Sequence, residues 1–143
     1  MAGVISQSAL LHRQLEEGFW TVSAVTAGDA VGPDSTVSSA IDYCGVKTVP
    51  NTGDIAVMGV ALETLSGATT TTQVRCAVHG FCLKAKVNAA VVAGDPLVSD
   101  TTAGQLVKNV NTNISHVFAH ALTASGTLAD GTTAAGFASI WIY

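Results

Sequence analysis

Charged residues are scarce in this sequence. Asp, Glu, Lys and Arg make up 11% of its 143 residues, whereas a typical soluble domain contains about 25%. With six Lys plus Arg and a net charge of -4, the chain has no basic stripe to neutralise a run of phosphates, so we expect no nucleic-acid partner. Because 48% of the residues are hydrophobic and the net charge is low, the composition also argues against intrinsic disorder.

Long hydrophobic runs are missing too. The longest one, at residues 55–62, is far shorter than the roughly 20 residues of a membrane-spanning helix, so we expect no membrane partner. The first residues carry no positively charged region, and Arg13, Glu16 and Glu17 interrupt any apolar stretch there. The sequence therefore predicts no signal peptide. At this length, one compact domain is the expectation.

Cysteines number only three, Cys44, Cys76 and Cys82, and three cannot all pair within one chain. Without a secretory signal, we expect free thiols in a reducing compartment, packed as small buried hydrophobic groups. A zinc site that combines them with His79 has the wrong spacing, since paired cysteine ligands are usually separated by about two to four residues. The sequence predicts no metal site.

Uncharged small and β-branched residues fill the rest of the chain, and they form alternating segments punctuated by turns. Strand-like segments at residues 19–26, 73–82 and 83–87 are typical of this pattern. Such spacing with Gly and Asp turns predicts an all-β fold, a small barrel or sandwich. The turns at Gly28-Asp29, Gly53-Asp54 and Gly94-Asp95 are unevenly spaced, which favours hairpin punctuation over an internal repeat.

The N-terminal residues differ from this pattern. Ser8 is a possible helix cap, and Leu11 and Leu15 lie four residues apart, so residues 8–17 are interpreted as a short helix that ends at Gly18. We therefore divide the chain into an extended N-terminal arm, residues 1–18, and a single β-rich domain, residues 19–143.

Candidate catalytic chemistry is weak. His116 and His120 would share one face of a helix, but four residues of strand separate them by about 13 Å. That separation does not suit metal bonds of about 2.0–2.1 Å. The chain has no Gly-x-Ser-x-Gly motif and no phosphate-binding Gly-rich loop with its Lys. We therefore predict no enzyme activity and no cofactor.

A resemblance to a known family rests on an ordered set of phrases along the chain. In their order and spacing, they resemble the capsid decoration (cement) proteins of tailed bacteriophages over about residues 19–143. The phrases are Ala27-Gly28-Asp29-Ala30-Val31, Gly59-Val60-Ala61-Leu62-Glu63, a Val-rich segment that ends at Gly80, and Ala93-Gly94-Asp95-Pro96-Leu97-Val98-Ser99-Asp100 with Ala103-Gly104.

The resemblance implies a small β-tulip or β-clip fold, often with one short helix, which residues 59–66 would hold. It implies a protein without catalytic residues, made in the host cytoplasm. Such a protein forms homotrimers on the outer surface of the mature capsid, at local threefold positions, where it stabilises the shell. Its partners would be the major capsid protein and further copies of itself.

Two sets of residues are the expected contacts. In the arm, three leucines are predicted to touch the major capsid protein or a neighbouring protomer: Leu10, Leu11 and Leu15. At the C-terminus, aromatic residues alternate with Ile140 and Ile142, so they are predicted to close the core or a trimer interface: Phe137, Trp141 and Tyr143.

Two other classes remain open. A phage fibre or tail module of the adhesin type is expected to expose aromatic or Asn/Asp-rich loops, and this chain has four Phe, two Trp and two Tyr. A trimeric β-barrel enzyme that binds small molecules, of the dUTPase kind, is expected to carry Asp, Ser and Arg nucleotide motifs, which we do not find.

Overall fold

The computed structural model describes residues 14–34, 45–49, 57–66, 72–110 and 117–143. All regular structure in these ranges is β-strand, which confirms the all-β prediction. In the same ranges, no helix is long and apolar enough to cross a membrane. The strands are β1 Gln14–Thr21, β2 Ala30–Pro33, β3 Val46–Thr48, β4 Gly59–Ala61, β5 Thr72–Lys86, β6 Pro96–Ser99, β7 Leu106–Lys108, β8 Ala119–Ala121, β9 Gly126–Thr127, β10 Thr133–Ala134 and β11 Phe137–Ile142.

The long strand β5 organises the molecule. Its first part alternates buried Val74 and Cys76 with exposed Gln73 and Arg75, as expected for successive side chains on opposite faces of a sheet. Gly80 interrupts it with a φ of 81°. The residues before Gly80 pair with β1 and β4, and the residues after it pair with β11. One strand therefore belongs to two parts of the sheet.

The first part, residues 14–79, is a five-stranded unit that we call the first repeat. Its strands follow the order β3-β2-β4-β5, with β1 also on β5. A parallel bridge between Trp20 and Gly45 returns from β1 to the start of β3 and closes the sheet on itself. Apolar side chains that include Phe19, Val31 and Cys76 fill its interior.

Residues 80–143, the second repeat, have the same arrangement. The order is β7-β6-β8-β11-β5, and a parallel bridge between Val87 and Leu106 closes this sheet. Its interior contains Leu97, Leu106 and Ile140. Strand by strand, β1 to β4 correspond to the end of β5 and to β6, β7 and β8, and the start of β5 corresponds to β11. The hairpin β9-β10 lies between β8 and β11 of the second repeat.

Equivalent hydrogen bonds support this correspondence. In both Gly-Asp turns, an Asp side chain accepts a backbone N–H three residues earlier at 3.0 Å, Asp29 from Thr26 and Asp95 from Val92. The glycine N–H donates to the carbonyl of Ala61 at 2.7 Å in the first repeat and to that of Ala121 at 2.8 Å in the second.

The interpretation of these two turns as mere punctuation was therefore wrong. Two equivalent turns define only one interval, so the uneven spacing of all three dipeptides did not bear on their equivalence. The remaining turn, Gly53-Asp54, lies outside the described residues.

Strand β1 replaces the predicted helix. Residues 14–17, the last part of the helix predicted at 8–17, pair antiparallel with β5 instead, so that prediction was wrong for them. A helix this short is marginal in water, whereas a strand next to β5 satisfies its backbone groups. Residues 59–66 also hold no helix, since they contain β4 and the bridge from Leu65 to Val25. Leu10 and Leu11 lie outside the described residues, and the strand runs through the arm boundary at residue 18.

Candidate interaction surface

Uncharged side chains, three exposed and two half-buried, form a continuous patch across the outer face of the sheet, where β1, β5, β11 and β8 adjoin. We call Leu15, His79, His120, Trp141 and Tyr143 the aromatic band. The register places Leu15 opposite His79 and His120 opposite Trp141. His79 meets Trp141 edge-on with ring centroids 6.4 Å apart, and His120 meets Tyr143 edge-on at 5.1 Å.

The aromatic band has the character of a protein contact surface. Leu15 is 52% exposed and Tyr143 is 61% exposed. The Tyr143 hydroxyl forms a hydrogen bond with Nδ1 of His120. Aromatic residues are enriched in protein interfaces, and contiguous exposed apolar surface marks interaction sites. The band is therefore a candidate surface for contact with a partner.

The aromatic residues singled out in the sequence lie outside the buried interior. Ile140 and Ile142 are fully buried, while Trp141 and Phe137 are half-buried and Tyr143 is exposed. Parity therefore separates the isoleucines from the aromatics, as the alternation indicates, and of these five residues only the isoleucines lie in the interior. A trimer interface remains the prediction for these aromatics.

Leu15 and Phe137 have different surroundings. Leu15 joins the aromatic band, next to His79. Phe137 lies at the join between the repeats, where the Lys84 ammonium is 4.4 Å from its ring centroid.

The contributions of His79 and His120 were missed in the sequence because they require the register of four strands. The signal that the sequence did offer was alternation within each strand, which indicates the side chains that face away from the interior.

A shallow groove of about 430 Å³ lies beside the first Gly-Asp turn. Gly28, Leu62 and Lys84 contribute to its lining, and its charged pair, Glu16 and Arg75, is exposed with 3.3 Å between oxygen and nitrogen. Among the described residues, every buried side-chain polar atom has a hydrogen-bond partner. The described lining of the groove therefore contains no buried side-chain polar atom without a partner.

The buried thiols do not have the properties of nucleophiles. Desolvation, with a smaller contribution from Glu63, raises the pKa of Cys76 to about 12. Desolvation also raises the pKa of Cys82 to about 12 despite a hydrogen bond to the Lys84 carbonyl. Since the thiolate is the reactive form, neither sulfur is activated. No group of three or more His, Cys, Asp or Glu within the described ranges could hold a metal ion.

Comparison with solved structures shows what the fold is similar to. No protein-family model matches the chain, and neither does any curated protein. The N base of the head fibre protein gp8.5 of bacteriophage phi29 has a similar crystal structure, with a TM-score of 0.60 and 16% sequence identity. The similarity covers 91% of this chain and 94% of the phage chain, so the two share one fold over almost their whole lengths.

Proposed function

We propose that this chain is a structural protein of a bacteriophage virion that binds the outer surface of the capsid. The observation that carries the proposal is the fold shared with the base of a phage head fibre over 91% of this chain. The finer part is that the protein decorates the mature shell as a homotrimer at local threefold positions and stabilises it. The aromatic band is uncharged and partly exposed, which supports a protein that functions in contact with other proteins.

Stabilisation of a shell follows from mass action. A protein that binds assembled subunits and not free ones shifts the equilibrium toward the assembled state. A trimer that touches several subunits also gains avidity, because each further contact forms within an existing complex. The protein then needs no catalytic group. Its surface has to be complementary to subunits arranged on a lattice.

The start of the described chain supports a role for the N-terminal residues. Strand β1 begins at Gln14, beside the aromatic band, and Leu15 is exposed there. We propose that Leu10, Leu11 and Leu15 contact the major capsid protein or a neighbouring protomer. Burial of these leucine side chains against a partner would remove apolar surface from water, which favours binding.

A second candidate function is the base of a head fibre or similar appendage, which the same structural likeness favours. A fibre base anchors another segment or partner to the head, whereas a cement protein covers the lattice. The two differ in occupancy, since a cement protein fills equivalent lattice positions and an anchor occupies a subset.

The experiment combines the purified protein with empty expanded shells of its own phage, followed by co-sedimentation and cryo-electron microscopy. We expect added density on the outer surface at local threefold positions. Leu15→Asp should raise the Kd for the shell by about tenfold, which corresponds to about 1.4 kcal/mol. Ala129→Asp, in the exposed hairpin β9-β10, serves as the control. Bare shells at saturating wild-type protein would contradict the proposal.

A further inference from the structure

The outer surface of the first repeat is covered by the second repeat. Across this junction, the Ala30 N–H donates to the Gly104 carbonyl at 2.8 Å, and the Gly104 N–H donates to the Val49 carbonyl at 3.0 Å. Four small apolar residues of the first repeat are at most 1% exposed and belong to the same core cluster as the interior of the second repeat: Ala30, Val49, Val60 and Ala77.

Among the described residues, none covers the equivalent surface of the second repeat as fully. The residues that correspond to those four are all half-buried instead of fully buried: Pro96, Asn109, His120 and Trp141. The two glycines give the sharpest comparison. A Cβ at Gly28 would lie 2.7 Å from the Phe137 ring, whereas a Cβ at Gly94 would meet nothing within 4 Å.

Charge placement makes this open surface suitable for an uncharged occupant. At the covered junction, Asp29 has its cation from the other repeat, with Lys86 Nζ at 3.9 Å. In the second repeat, Asp95 has Lys108 Nζ at 2.9 Å within the same repeat. The hydrogen bond from Lys108, together with the Val92 N–H, lowers the pKa of Asp95. The Asp95 carboxylate therefore needs no cation from a partner.

The first repeat has a matching uncharged counterpart. Within the junction, the second repeat contributes Lys86 and Phe137, which are paired across β5 and β11. The equivalent pair in the first repeat is Trp20 and Gln73, paired across β1 and β5. Trp20 is half-buried and Gln73 is exposed. Trp20 therefore occupies the position in the first repeat that Lys86 occupies in the second.

We propose that chains associate head to tail, with the face of Gly94, Pro96, His120 and Trp141 receiving Trp20 and Gln73 of a second copy. The contact repeats the junction that already joins the two repeats within one chain. Pro96 has no N–H, so this contact lacks the hydrogen bond that Ala30 donates. Such heterologous contacts close into rings or extend into filaments. A closed ring of three chains rests on the trimer proposed above. The contact itself does not require a capsid shell.

The test uses one variant for each face and mixes the two. His120→Glu places a charge on the open face of the second repeat, and Gln73→Glu places one on the opposite face. Because burying an unpaired charge is costly, each variant alone should weaken self-association in sedimentation velocity by about tenfold or more. An equimolar mixture should form one-to-one dimers, since one intact face remains on each partner. Thr132→Glu, in the exposed segment before β10, is the control and should associate like wild type.

Gly94→Asn is a second probe of the open face if His120→Glu lowers folding. Asn tolerates positive φ better than most residues, and the single chain leaves room for it. A wild-type protein that stays monomeric up to hundreds of micromolar would overturn the proposal. So would a mixture that remains monomeric, or a self-association constant unchanged by both open-face variants. Head-to-tail association without shell binding would overturn the proposed function and leave this contact standing.

Discussion

Gly28 and Gly94 occupy the same place in two equivalent turns, yet their neighbourhoods differ. Both have positive φ, 97° and 90°, a region that L side chains avoid. Gly28 also lies against the Phe137 ring of the second repeat, whereas Gly94 faces open space. The first glycine is therefore required by both backbone and packing, and the second by backbone alone.

Alanine substitution should separate these two requirements. Gly94→Ala is expected to cost about 1–2 kcal/mol of unfolding free energy, because of its left-handed backbone. Gly28→Ala should cost about 1–3 kcal/mol more, because the added methyl overpacks the Phe137 ring. Urea unfolding at protein concentrations below any self-association measures both. Equal losses at the two sites would mean that the ring does not press on Gly28.

At the scale of strands, the sequence predicted where strands lie but not how they continue or pair. Alternation indicated strand structure at residues 73–82 and 83–87, but these segments are one strand, β5. Local pattern does not show that Gly80 bends a continuous strand, since the bend reflects a change of partners from β1 to β11. The Gly-Asp phrases were visible as residues, but their equivalence required hydrogen bonds to Ala61 and Ala121.

The candidate interaction surface was predicted in part for the same reason. The outward parity of Trp141 was readable within β11 alone. Its neighbours His79 and His120 lie on other strands, and only the register of the sheet brings them together. The prediction of a helix at residues 8–17 was wrong for residues 14–17. The local spacing of leucines carries no information about β5, the strand with which these residues pair.

Truncation tests the role of β1. Deletion of residues 2–13 leaves every described contact of β1 in place and is expected to preserve the unfolding free energy. Deletion of residues 2–17 removes the pairing of Gln14 through Glu17 with β5, and with it the ion pair between Glu16 and Arg75. With net values of about 0.5–1.5 kcal/mol per hydrogen bond, the longer deletion should lose at least about 1 kcal/mol. Thermal melts of both chains distinguish the cases, and equal stability would contradict the assignment of β1.

The whole molecule has two interiors but one continuous structure. Cys76 lies in the apolar cluster of the first repeat and Cys82 in that of the second. The second cluster also takes in Ala30 and Val60 from the first repeat. The repeats therefore share packing as well as β5, so we expect them to unfold together.

Thiol labelling measures this cooperativity. In a Cys44→Ser background, Cys76→Ala and Cys82→Ala each leave one buried thiol. At pH 8, we expect both thiols to react with a disulfide reagent only after unfolding, since burial and a pKa of about 12 suppress the thiolate. After correction for each variant's own stability, both should give the same free energy of opening. A clearly lower value for one thiol would mean that its repeat opens independently.

The shared strand has a mechanical consequence. Two domains joined by a linker separate when the linker is pulled taut and their contact is peeled apart. Here the polypeptide passes from one repeat to the next at Gly80, inside a paired strand. A force that pulls the two repeats apart must therefore act along β5. To separate them, it has to break the hydrogen bonds of β5 to β1 and β11 at the same time. Bound to a capsid as we propose, such a molecule would resist stretching along β5 as one unit.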